Sequence, residues 1–187
     1  MKISIAQLLI RTVTQNSNQS FDRGLQKVLN RLTTTIERDN LIVETTSRIQ
    51  NTLAVDRVLL YYFYSQWRGQ VTFESLSSHK WSILGSTGPD ECFNNEYADL
   101  YLQGRVRAIP DIELEPIADC HRIFLRNLQV RANLAVPILT KKRTGQSLWG
   151  LLVAHHCQAP RLWTPSDITM MQTEAEKLAK APSISNC

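Results

Sequence analysis

The chain has 187 residues, 43% of them hydrophobic, and its 21 lysines and arginines against 17 aspartates and glutamates give a formal charge of +4 and an isoelectric point near 9.0. That length suits one globular domain with a single core. The basic residues are interspersed with acidic ones, which argues against the concentrated basic face of a nucleic-acid binder. No stretch approaches the roughly 18 consecutive apolar residues of a membrane helix. The opening MKISIAQLLIRTV is interrupted by Gln7 and Arg11 and lacks a small-residue cleavage site. Cys92, Cys120, Cys157 and Cys187 are too sparse for a disulfide scaffold and form no C-x-x-C knuckle. Free thiols in a reducing cytoplasm are the expectation.

In chain order, Phe21, Leu25, Val28, Leu29, Leu32 and Ile36 recur at spacings of three and four, the stripe of an amphipathic helix. Such a stripe serves either its own core or a homodimer. A second helical pattern runs from Leu41 to Leu53. Arg57 to Tyr64 (RVLLYYFY) is rich in strand-favouring residues, and a turn over Gln66 to Gly69 leads to a second strand from Val71 to Leu76. From Ser77 to Arg107 the pattern is irregular, broken by Gly85, Gly88, Pro89 and Gly104 around a short helical stretch from Asn95 to Leu102. A helix follows over Ile117 to Leu128. Strands over Ala132 to Leu139 and Leu148 to His155 are joined by the basic turn KKRTGQS. Thr164, Pro165 and Asp167 read as N-cap, first-turn proline and acidic capping partner of a final helix to about Lys180.

Hairpins without βαβ crossovers predict an α+β fold, a central antiparallel sheet with helices packed on it and a loop-rich pocket. The organisation is a helical extension over 1–38, the main domain over 39–180 and a tail over 181–187.

Three places carry reactive side chains. Cys120 is followed directly by His121 in a helix, where adjacent side chains diverge by about 100°, so thiol and imidazole do not automatically pair. Asp90-Glu91-Cys92-Phe93 lies in the irregular segment, where a thiol is freer to approach a ligand. There Asp90 raises rather than lowers the thiol's pKa. His155 and Cys157 share one face of a strand end and His156 takes the other. These thiols and imidazoles match no familiar zinc spacing, and no nucleophile elbow of a thiol hydrolase is present. Packing alone accounts for each of them.

From about Asp39 to Lys180 the chain resembles the GAF domains of cyanobacteriochromes, the cyanobacterial relatives of phytochromes. The resemblance rests on an ordered set: Trp81, DECF at 90 to 93, LYLQGRVRAIPDI at 100 to 112, DCH at 119 to 121, VRANLAVPIL at 130 to 139, LWGLLVAHH at 148 to 156 and APRLW at 159 to 163. The Asp-x-Cys-Phe element is similar to that of the dual-cysteine subgroup.

The resemblance implies a photoreceptor without net turnover, holding phycocyanobilin or its isomer phycoviolobilin by a thioether at Cys120. It further implies a second, reversible linkage from Cys92 to the central methine bridge, broken or made by 15Z/15E isomerisation. By the same resemblance Asp90 accepts hydrogen bonds from pyrrole nitrogens, His121 and His155 contact the chromophore, Arg105 and less directly Arg107 pair with propionates, and Phe93 and Trp149 are apolar or stacking walls. His156 departs from the neutral polar residue expected beside His155. No output sequence is present, so a signalling output domain, in the same receptor or in trans, is the implied partner, with the terminal helices as the route. The alternatives are a GAF domain binding a colourless small molecule such as a cyclic nucleotide, and a thiol enzyme or zinc protein.

Overall fold

The computed structural model describes residues 22–65, 68–88, 95–143 and 145–185. Its centre is a five-stranded antiparallel sheet in the order β2-β1-β5-β4-β3, made of β1 (Arg57–Ser65), β2 (Arg68–Leu76), β3 (Arg107–Ile109), β4 (Ala132–Lys142) and β5 (Gly145–His156). Helices α1 (22–37), α2 (Asn40–Leu53), α5 (Pro165–Leu178) and α6 (Pro182–Ser185) pack on one face. Helices α3 (Asn95–Leu102) and α4 (Asp119–Asn127) lie on the other. This is the α+β arrangement that the hairpin-rich pattern predicts.

The period-two alternation of the strands sorts their side chains between these faces. Val58 and Leu60 of β1, Leu134, Val136 and Ile138 of β4, and Leu152 and Ala154 of β5 join Ile36, Ile42, Ile49, Met171 and Leu178 in the main core. Leu59, Val71, Ala135, Leu151 and Val153 point the opposite way and, among the described residues, cluster with Tyr101 and the half-buried Tyr61, Phe63, Ile83 and Leu148. Each fully buried aliphatic side chain contributes about 1.5–3 kcal/mol, so stability is concentrated on the first face. The second face is left underfilled.

The helix ends follow from local chemistry. Asp39 caps α2 by accepting the Leu41 N–H, and its other oxygen accepts from the Ser183 hydroxyl at 2.7 Å, which ties α6 to the start of α2. Thr164 and Asp167 form the reciprocal capping box with Pro165 in the first turn, as the sequence predicts. The β4–β5 hairpin is tighter than the KKRTGQS turn suggested, because the strands continue through these polar residues until Lys142 faces Gly145. β2 likewise begins at Arg68, earlier than expected, and α4 is shorter at both ends. The edge strand β3 and helix α6 have no counterpart in the sequence reading. No helix among the described residues is long and apolar enough to cross a membrane.

Gly150 sits where β5 passes closest to β1: a Cβ there would stand 2.1 Å from the Tyr61 carbonyl oxygen. Backbone cannot yield as a flexible side chain does. Gly150→Ala is expected to lower stability by about 1–3 kcal/mol, read as a lower urea midpoint. An unchanged midpoint would mean that β1 and β5 separate more easily than this contact implies.

Candidate ligand-binding site

On the underfilled face the sheet, α3, α4 and the 83–88 segment line a half-open hollow of about 90 Å³. Leu59, Val71, Leu151 and Val153 form an apolar floor, and Phe124, Leu125 and Leu128 close the side beneath α4. Polar groups are few and dispersed: Tyr61, Tyr101, His121, Asn133 and His155 reach the hollow, with Ser86 and Thr87 at its edge. The Tyr61 hydroxyl accepts the Gly88 N–H at 2.8 Å and thereby fixes that segment against the sheet.

His121 stands in the first turn of α4, half-buried, and burial together with the nearby Arg107 charge holds its imidazole below the ordinary range. Burial pushes the Tyr101 phenol up to about 12, against the pull of Arg105 and Arg107. Both arginines therefore place positive potential beside the hollow. Arg107, in β3, is engaged by Glu115 at 3.1 Å.

His155 lines the hollow yet is 4% exposed. Its Nδ1 receives the Nε–H of Arg57, directly across the β1–β5 ladder, at 3.0 Å. Burial, with the Arg57 charge second, drives its imidazole well below the ordinary value. His156 turns away, its Nδ1 2.7 Å from the Ala159 carbonyl oxygen.

Of the residues singled out in the sequence, His121 and His155 meet at the hollow, and Arg105 and Arg107 lie near it. Asp90, Cys92 and Phe93 lie outside the described residues. Cys120 is exposed in the turn that carries His121 and is disulfide-bonded; the expectation of free thiols holds for Cys157 and not for Cys120. Burial pushes the Cys157 thiol up to about 11, with Arg57 opposing and Asp56 adding.

Trp149 stands on the other side of the sheet, in the main core 5.1 Å from Tyr62, and lines no part of the hollow. A β-bulge between Ile138 and Leu139 accounts for this. Counting by twos from His155 puts Trp149 toward the hollow, but the inserted residue reverses the alternation, so Leu148 faces the hollow's side instead. Sequence reasoning missed Tyr61, Tyr101, Asn133 and Arg57. The alternation of RVLLYYFY was the available signal for Tyr61, which shares its face with Leu59. Among the described residues no group of three His, Cys, Asp or Glu is placed to hold a metal.

With this fold and hollow, the chain belongs to the GAF domain family, which matches residues 37–181. An uncharacterized protein of Picosynechococcus is 46% identical over 159 residues, 85% of this chain and 95% of that protein. The circadian input-output histidine kinase CikA of Thermosynechococcus vestitus is 30% identical over 181 residues, which are 91% of this chain and only 24% of the kinase. Among solved structures, the chain is similar to the blue-light absorbing form of the Thermosynechococcus elongatus PixJ GAF domain, with a TM-score of 0.65 and 32% identity over 77% of this chain and 86% of that one. It is also similar to the phycocyanobilin-bound GAF domain of a cyanobacterial phytochrome, with a TM-score of 0.68 and 28% identity over 86% of this chain and 94% of that one.

His121 and His155 are both held toward the neutral form when folded and return to ordinary basicity on unfolding. The unfolded chain therefore takes up more protons as pH falls through about 6.5. Their contribution to stability is present above that pH and lost below it. Urea midpoints are expected to fall from about pH 7.5 to about pH 5, with a shallower decline in His155→Gln. A midpoint that holds steady on acidification would contradict the buried neutral state.

Proposed function

We propose that this GAF domain is a photosensor that carries a covalent linear tetrapyrrole and performs no net turnover. The observation that carries this reading is the apolar hollow flanked by the α4 turn of Cys120 and His121, in a chain similar to a bilin-bound GAF domain. The residues suit such a group. Apolar walls accommodate flat pyrrole rings, Arg105 supplies a cation for propionate carboxylates, and His121, Asn133 and His155 supply dispersed polar contacts.

When bound, the bilin supplies a visible chromophore whose double bond between rings C and D isomerises on absorbing light. Cys120 is the anchor. Its S–H adds across the ring A side-chain double bond, the sulfur bonding one carbon and the proton passing to the other, so no oxidant or separate lyase is needed. This requires the reduced thiol, which a thiol reductant, itself oxidised to a disulfide, would release from the disulfide at Cys120. Cys92, in an Asp-x-Cys-Phe element of the dual-cysteine kind, adds reversibly to the central methine bridge, dividing the conjugation and moving absorption to violet or blue. Asp90 accepts from the pyrrole N–H groups and balances a protonated ring system. Phe93 supplies an apolar wall. Arg107, engaged by Glu115, is the secondary propionate partner. The pigment is phycocyanobilin or phycoviolobilin, and the terminal helices pass the signal to an output domain, with a homodimer through those helices as one arrangement.

Cys120→Ala is expected to abolish covalent pigment, seen as loss of zinc-induced fluorescence of the denatured band. Undiminished covalent pigment would move the anchor elsewhere.

Cys92→Ala is expected to keep the pigment at Cys120 while the violet or blue band gives way to absorption at longer wavelength. Loss of one sulfur from packing would change stability by about a kcal/mol and leave conjugation alone, so the spectrum separates the two roles. Retention of the short-wavelength band would refute the second linkage and leave the anchor standing.

A further inference from the structure

We infer that Arg57 holds His155 as a single neutral tautomer with its proton on Nε2, which makes Arg57 the residue that sets the polarity of this imidazole at the hollow. The reasoning begins with what a guanidinium can do. Arginine carries only donors, and its Nε and Nη2 stand 3.0 and 2.9 Å from the His155 Nδ1. An atom approached by two donors and no acceptor must offer its lone pair. Nδ1 is therefore bare, the ring's one proton sits on Nε2, and a second proton would have to enter against the guanidinium.

Arg57 cannot swing aside. It is fully buried, and it also donates from Nη1 to the Trp81 carbonyl and from Nη2, at 3.0 Å, to the Leu128 carbonyl. Asp56, Glu74 and Cys157 surround it electrostatically. On the other side of β5, His155 faces Asn133, which is uncharged. His121 of α4 and Tyr101 of α3 also line the hollow, one below the ordinary imidazole range and the other a phenol neutral at working pH. With Nδ1 committed to Arg57, Nε2–H is the polar group that His155 offers the hollow, and Arg57 is thus a positioning residue.

The test uses the full chain labelled with 15N-histidine, first without pigment, with His155 assigned by its loss in His155→Gln. The two ring nitrogens of His155 are expected to show one bare and one protonated shift, with the proton on Nε2, unchanged from about pH 8 to about pH 5, a window in which an ordinary imidazole titrates. A proton on Nδ1, or titration inside that window, overturns the proposal. Arg57→Met should release the lock, giving averaged tautomers or a titration midpoint raised toward the ordinary range. A folded Arg57→Met chain with the same pH-independent tautomer would show that Arg57 is not its cause. Should that variant fail to fold, the wild-type spectrum remains decisive for the tautomer, and Arg57→Lys, which keeps the charge and loses the fork, tests the cause by the same two signatures.

Discussion

A buried guanidinium organises this domain. Taking an ion of that size out of water costs several kcal/mol, and a protein recovers the cost only when the ion's donors are well used. Arg57 meets that demand by drawing together segments far apart in the chain: the 79–81 turn through the Trp81 carbonyl, the end of α4 through the Leu128 carbonyl, and β5 through His155. Its neighbour Asp56 extends the network by accepting the Cys157 N–H at 2.8 Å and the Gln158 amide at 2.7 Å. One corner of the hollow is thus set by a charge that tolerates little displacement. Its 83–88 rim is held to the sheet by the Tyr61–Gly88 hydrogen bond together with the Val71–Ser86 and Gly85–Val71 backbone bonds and the Ile83 N–H to Glu74.

The rest follows from unequal use of the two sheet faces. Four helices cover one face and fill it with branched aliphatic residues, while the other has α3, α4 and a long irregular segment. An underfilled face in a folded chain is a standing deficit of dispersion contacts, tolerable because the opposite face supplies the stability. The hollow is the consequence of that asymmetry. The bulge that moves Trp149 to the helical face strengthens it further, since the largest side chain of β5 adds to the core and leaves the hollow to leucine and valine.

The sequence made much of this legible where the signal is periodic. Alternation in RVLLYYFY and LLVAHH, together with the Thr164–Asp167 cap, sufficed for the sheet and the final helix, because hydrophobic period and cap chemistry are local. Edge strand β3 has three residues, too few for a period, and the bulge before Trp149 is set by pairing with β4. His121 and His155 stood out by residue type. Arg57 did not: an arginine at a strand start reads as a solvated charge, and only the tertiary fold shows that carbonyls and an imidazole replace its water.

The same strands that floor the hollow also carry the terminal helices, which gives the domain a short mechanical path. Along β5, Leu151 and Val153 face the hollow while Leu152 and Ala154 face the helical core, so the two sides are one residue apart. On the helical side Arg48 of α2 pairs with Glu174 of α5, and Asp39 joins the α1–α2 junction to Ser183 of α6. Close-packed interiors deform little, so a change in what the hollow contains must be taken up by the 83–88 rim or by the strands. A group pressing on β5 through Leu151, Val153 or the His155 imidazole loads the strand whose other side packs into the helical core. That contiguity is a physical connection, anchored at the strand's end by Arg57.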